Sequence, residues 1–265
     1  MALYYFRLIR SFFRASAQAE LAHRSNFWIS LLHSALNLGT GVLGIAVLFG
    51  QVDTINGWDF AATLGVLGVY LTISALRGLF IGPSLEALAG MDGEVWKGTL
   101  DFTLLRPVDV QFQASFRHWR PLALLDLVLG LGVIWGAVAR LGSSVTLIHF
   151  LGFALTLGLG ILILYAILLI FAGLVFWSPG FLFTWVFDGL FQMARYPVGV
   201  YPPWVRLVLT WIIPVGLITT VPAQALAGDL GGSMFLAALG IAAALLAGAS
   251  WLFRTGLRRY GSASS

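Results

Sequence analysis

147-LIHFLGFALTLGLGILILYAILLIFAGLVFW-177 runs for thirty-one residues without an Asp, Glu, Lys or Arg. A helix crosses the hydrocarbon layer in about 20 apolar residues, so this stretch can span a bilayer with length left for a tilt or a break. Working outward, five more stretches read the same way: Phe27 to Phe49, Phe60 to Ile81 and Pro121 to Val138 before it, Val205 to Leu226 and Met234 to Phe253 after it. The expected fold is all-α, a polytopic membrane protein of about six transmembrane helices. Phe181 to Leu190 is apolar but too short to span. Bracketed by Pro179–Gly180 and Tyr196–Pro197, it reads as a helix continuing or re-entering beside the fourth span.

Composition agrees. The 265 residues are 59% apolar and 10% charged, where soluble chains carry about a quarter charged residues. Mean hydropathy is +0.92. Cysteine is absent, which excludes disulfides, thiolate metal sites and a cysteine nucleophile. A net charge of +4 raises the question of nucleic acid. The basic residues, however, stand at the edges of apolar runs, as membrane topology requires, so no nucleic-acid partner is expected.

Residues 1–26 form a separate N-terminal element, and 27–265 a single transmembrane domain. Arginines spread through the first stretch exclude a cleavable signal peptide. As a helix it places Arg7, Arg10, Arg14 and Gln18 in one polar stripe opposite Tyr5, Leu8, Ile9 and Phe12. Such a helix lies in the headgroup layer or packs on protein. With the N-terminus in the cytoplasm, fourteen lysines and arginines fall on that side, Arg195 and Arg206 among them, and Arg140 alone falls outside. The positive-inside rule selects this orientation, with both termini cytoplasmic. The outer loops, Gln51 to Gly57, Arg140 to Ser144 and Gly228 to Ser233, are then short.

The substantial cytoplasmic segment is about 82–120. Its acids (Glu86, Asp92, Glu94, Asp101, Asp109) interleave with Lys97, Arg106, Arg117 and Arg120. Mixed charge suits a protein contact better than a lipid contact, which favours basic residues; a solvated loop is the alternative. Within the spans, His33 and Asn37 stand one turn apart, suited to interhelical hydrogen bonds, and Asp126 lies near headgroup level. Gly132-x-x-x-Gly136 would let two helices approach. The lone lysine, Lys97, follows Trp96, so no phosphate-binding Gly-Lys-Ser/Thr loop exists. Neither a His-Glu-x-x-His helix nor a Gly-x-Ser-x-Gly elbow is present. No catalytic residue, metal site or cofactor of the chain's own is expected.

Three stretches, 93-GEVWKGTLDFTLLRPVDVQF-112, 195-RYPVGVYPPWVRLVLTWIIPVGLITTVPAQALAG-228 and 252-LFRTGLRRYGSASS-265, resemble the membrane subunit of ABC-2 type transporters. The likeness is to the bacterial branch of six-span permeases, and extends to length and span order. It implies a type V exporter fold with two permease subunits, identical or paralogous, and two ATPase subunits holding ATP and magnesium. It also implies a coupling element around Met91 to Pro107, here Asp92, Gly93, Glu94, Lys97, Gly98, Leu100, Asp101, Leu104, Leu105, Arg106 and Pro107. A second contact is implied near Ala194 to Pro203, carried by Arg195, Tyr196, Pro197, Tyr201 and Pro202. The outer re-entrant helices of such exporters are not legible beyond a short kinked piece near Pro222. Pro214 and Pro222 interrupt backbone bonding in the fifth span and mark either a moving element or a static kink. An ion-coupled secondary transporter and a non-transport assembly protein are the alternatives, though nearly uncharged spans give little to couple an ion gradient.

Overall fold

The computed structural model describes residues 2–22, 24–90, 92–142, 145–180 and 183–261. Met91, Ser143–Ser144, Phe181 and Ser265, each touched by an expectation above, lie outside them. Among the described residues the chain is helical, with no strand.

Helix α1 (Ala2–Leu21) lies across one end of the bundle, called here the proximal end. Antiparallel crossings follow: α2 (Ser25–Phe49), α3 (Phe60–Glu86), α6 (Pro121–Leu141), α7 (Leu147–Leu174) and α11 (Gly232–Arg259). Between α3 and α6 stand two short helices, α4 (Leu100–Leu104) and α5 (Val110–Phe116). Between α7 and α11 stand α8 (Phe183–Gln192), α9 (Pro203–Ile212) and α10 (Val215–Ala227).

Helix α3 is the axis of the bundle, packed on α6 and α10, while α7 packs on α10 and α11, and α2 flanks α3 and α6. Most of α3 is enclosed by protein, whereas α2, α6 and α11 turn rows of apolar side chains outward, as lipid-facing helices do. The α3–α6 contact is close because Gly130 abuts Thr72: a Cβ at Gly130 would lie 2.7 Å from the Thr72 backbone nitrogen. Gly132 and Gly136, expected to form the close contact, face open space. Helix register decides this, since Gly130 and not Gly132 turns toward α3.

The fifth crossing is not where the hydropathy places it. Pro179 accepts the Gly90 N–H at the proximal end (3.2 Å). Asp188 then pairs with Arg77, and Phe191 meets Tyr70 at 5.2 Å between ring centroids. Arg195 donates to Asn37, and Gly199 accepts from Asn56 Nδ2 (3.0 Å). These partners climb α3 backwards and α2 forwards, so residues 183–201 cross from the proximal to the distal end. Ten helical residues rise about 15 Å, and the nine that follow in 3₁₀ turns and extended links add about 20 Å. Together they cover the ~30 Å hydrocarbon layer.

Val205 to Leu226, expected as that crossing, is instead a re-entrant hairpin. Helices α9 and α10 meet at 96°. The hairpin begins beside Gly199, near Trp58, and ends at Gly228, packed on His149 at the distal start of α7. Both ends are distal. Six crossings remain, with the fifth moved forward, and the re-entrant piece that was not legible in the sequence is α9–α10.

Candidate functional site

The proximal segment begins where α3 is forced out of regular helix. Pro83 has no N–H for the carbonyl of Leu79 and its ring crowds that turn. The helix widens into a π turn over Arg77–Ile81, and the Leu79 carbonyl accepts the Arg120 N–H instead (2.8 Å). The two ends of the segment are thereby tied together. Ser84 Oγ adds a second tie, accepting the His118 N–H (3.0 Å) and donating to the His118 carbonyl (2.8 Å).

Inside that loop the charges serve the segment itself. Glu94 pairs with Arg117 at 2.8 Å, their side chains 17% and 28% exposed, and Arg117 donates onward to Thr103 Oγ1 (3.0 Å). His118 Nε2 stands 3.6 Å from the same carboxylate. Glu94, expected to face a partner, spends its carboxylate here on Arg117, tying the turn before α4 to the end of α5. Gly93 and Leu100 are buried as well. Asp101 lies beside Tyr260, and burial together with that carboxylate pushes the phenol above its ordinary range. Asp92 is exposed and takes Lys97 at 2.7 Å; the ammonium holds its carboxyl below the usual range.

What the segment shows outward is apolar. Trp96, Phe102 and Leu105 are 55%, 69% and 82% exposed. Leu104, Arg106, Pro107 and Lys97 stand exposed beside them. An apolar knob with a cationic rim matches the anatomy of a protein-contact core and its rim. Sequence reasoning chose the segment for its charges and missed Trp96 and Phe102. The available signal was the helical spacing of Phe102, Leu105 and Arg106, given that Leu100 and Thr103 turn inward.

Helix α5 connects the knob to the spans. Gln111 Nε2 donates to Tyr165 of α7 (3.3 Å) and to Ser250 of α11 (3.1 Å), and Ser115 shares a 2.8 Å bond with Tyr165. Phe116 stacks on Phe80 of α3 at 5.8 Å. Helix α1 joins the same group through Tyr5 on Phe112 (4.6 Å) and Phe13 on Trp119 (5.5 Å). Its Tyr5 stripe thus packs on protein, while Arg7, Arg10 and Arg14 remain exposed.

The residues of the second expected contact do not join the knob. Arg195 lies midway along α2 on Asn37, Tyr196 abuts Gly44, and Tyr201 follows Gly199 at the distal end, opposite the knob. Pro197 opens a 3₁₀ turn there, and Pro202 stands just before α9. Of the two expected kinks, Pro214 caps α10 at the 96° elbow. Beside it is an apolar cavity of about 440 Å³, bounded by Phe171, Phe187 and Leu245. Pro222 lies buried inside α10. It leaves the Ile218 carbonyl without a helical donor, and α7 comes against that oxygen at Gly160, where a Cβ would lie 2.7 Å away.

A family model described as ABC-2 family transporter protein matches residues 35–264. Neither a curated protein nor a solved structure matches the chain.

Proposed function

The chain belongs to the ABC-2 transporter family and is a membrane-spanning permease component of an ABC transporter, and from that premise we propose that it is half of an exporter driven by a separate ATPase. The carrying observation is the knob of Trp96, Phe102 and Leu105, an exposed apolar surface at the proximal end with wiring through α5 to three spans. The ATPase docks there. Two copies of it bind ATP and magnesium, since this chain has no phosphate-binding loop. A second permease, another copy or a paralogue, completes the pathway.

The proximal end faces the cytoplasm of a bacterial inner membrane in this reading, with both termini on that side. Moving Arg195 and Arg206 away from it leaves twelve of the fifteen lysines and arginines there. Arg140 and Arg206 are distal and Arg195 sits at mid-depth, so the positive-inside bias still selects this orientation.

Closure of the ATPase pair pushes the knob, and α5 transmits the displacement to α3, α7 and α11. Pro214 is the mobile joint of the hairpin, because the apolar cavity beside it leaves room for the elbow to swing. Pro222, packed against Gly160, is the static kink.

Reconstitution in liposomes tests this. Alone, the chain should neither hydrolyse ATP nor accumulate solute. With its ATPase and a second permease it should do both, and the ATPase should co-purify with it. Gradient-driven accumulation by the lone chain would make it a secondary transporter and overturn the reading.

A further inference from the structure

Several charged side chains at the proximal end pair with one another: Arg77 with Glu86 and Asp188, Glu94 with Arg117, Asp92 with Lys97. Three polar groups that share a cavity do not. Between α2, α3 and the start of α6 lies a cavity of about 420 Å³ whose lining includes Arg120, His33 and Asp126. None of these three side chains has a hydrogen-bond or ion-pair partner among the described residues. Cation, imidazole and carboxylate thus face one space without pairing across it. Ser74 Oγ, in the same lining, is closed off from solvent and also lacks a partner.

The neighbouring polar groups are already engaged. Glu20 spends one oxygen on the Leu122 N–H (3.0 Å), capping the first turn of α6. Asn37 is held by Arg195. Ile29 lines the cavity and is 65% exposed on the apolar outer face of α2. Glu20 at the end of α1 and Arg120 just before α6 place its outer part at the edge of the spans, and Asn37 and Leu71 line its deeper end. An unpaired carboxylate within a span, as Asp126 is, is costly, and the volume is in the usual range of ligand sites, about 300–1,000 Å³.

We propose that this cavity binds a zwitterionic headgroup, a phosphate joined to a primary ammonium, as in phosphatidylethanolamine. The phosphate is taken by Arg120 and His33 and the ammonium by Asp126, while the acyl chains leave past Ile29 along α2. A ligand with one sign of charge satisfies only half of this lining. The site does not depend on whether such a molecule is cargo, nor on the docking of an ATPase.

Native mass spectrometry of the full-length chain, with dioleoyl phosphatidylethanolamine or dioleoyl phosphatidylglycerol added, tests it. The wild type should retain the ethanolamine lipid at about tenfold lower concentration, the scale of one charge-assisted hydrogen bond. Asp126→Asn should abolish that preference, Arg120→Gln should weaken both lipids about tenfold, and Asp53→Asn at the distal loop should change neither. Ile29→Trp alters no charge, so it reads the site even if a charge variant fails to fold; crowding the lining, it should lower retention of the ethanolamine lipid. Displacement by free phosphoethanolamine would identify a soluble source of the same chemistry, and its failure beside lipid retention would identify the bilayer; both support the site. Equal retention of the two lipids by the wild type would overturn it and leave a cavity that holds only water. So would wild-type behaviour of Ile29→Trp.

Discussion

Ala87 to Arg120 and Arg195 to Pro203 look alike in sequence: polar, proline-bearing, flanked by apolar runs, each with arginine. In the fold they sit at opposite ends. The first is tied to the proximal end of α3 by Leu79 and Ser84, and the second reaches the distal end, where Gly199 meets Asn56. Their charges differ in use as well. In the first, Glu94 and Arg117 neutralise each other to build a rigid base for an apolar knob. In the second, Arg195 has, among the described residues, the amide of Asn37 and the face of Tyr70, at 5.2 Å from the ring centroid. The lesson is that an arginine beside a proline does not report its side of the membrane. A guanidinium at mid-depth is tolerated where an amide oxygen and an aromatic face replace water.

The largest expected effect comes from breaking the internal staple. Glu94→Lys places two cations in a half-buried site, and removing one partner of such a pair costs about 3 kcal/mol. Thermal unfolding in detergent and protease sensitivity between Ala87 and Arg120 should register it. Unchanged melting would mean that Glu94 faces outward after all, restoring a charge-based contact. Next is the knob itself. Phe102→Ala with Leu105→Ala should leave folding intact yet weaken ATPase capture by about 2 kcal/mol, the scale of a contact hot spot, which is ~30-fold in Kd. Full capture would move docking elsewhere. The smallest effect belongs to the distal side. Asn56→Ala removes one exposed bond to Gly199 and should cost about 1 kcal/mol, read as a small drop in Tm with ATPase capture unchanged.

Span number and the proximal segment were legible because both are written in composition: long uncharged runs, and one mixed-charge interval. The fifth crossing was not. Residues 183–201 hold only ten α-helical residues, so no hydropathy window finds them. Residues 203–227 are mostly apolar although they do not span: nearly all of α10 is enclosed by protein, while Trp204, Leu207, Trp211 and Ile212 of α9 turn apolar side chains outward. Burial by protein and by lipid select the same side chains. The Pro83 device was hidden for another reason: its missing N–H is local, but the Arg120 N–H that uses the freed carbonyl lies 37 residues away in the chain. Likewise Glu94 looked available to a partner until Arg117 folded back on it.

Side-specific thiol labelling tests the re-entrant hairpin most directly, and the absence of native cysteine makes each introduced one unambiguous. Leu105→Cys, Asp53→Cys and Trp204→Cys would each be exposed to a membrane-impermeant maleimide in intact cells and in inverted vesicles. The expected result is that Trp204→Cys labels with Asp53→Cys in intact cells, and Leu105→Cys labels only in inverted vesicles. Labelling of Trp204→Cys together with Leu105→Cys would contradict it, making residues 203–227 the fifth crossing and returning Arg195 to Pro203 to the same side as the knob.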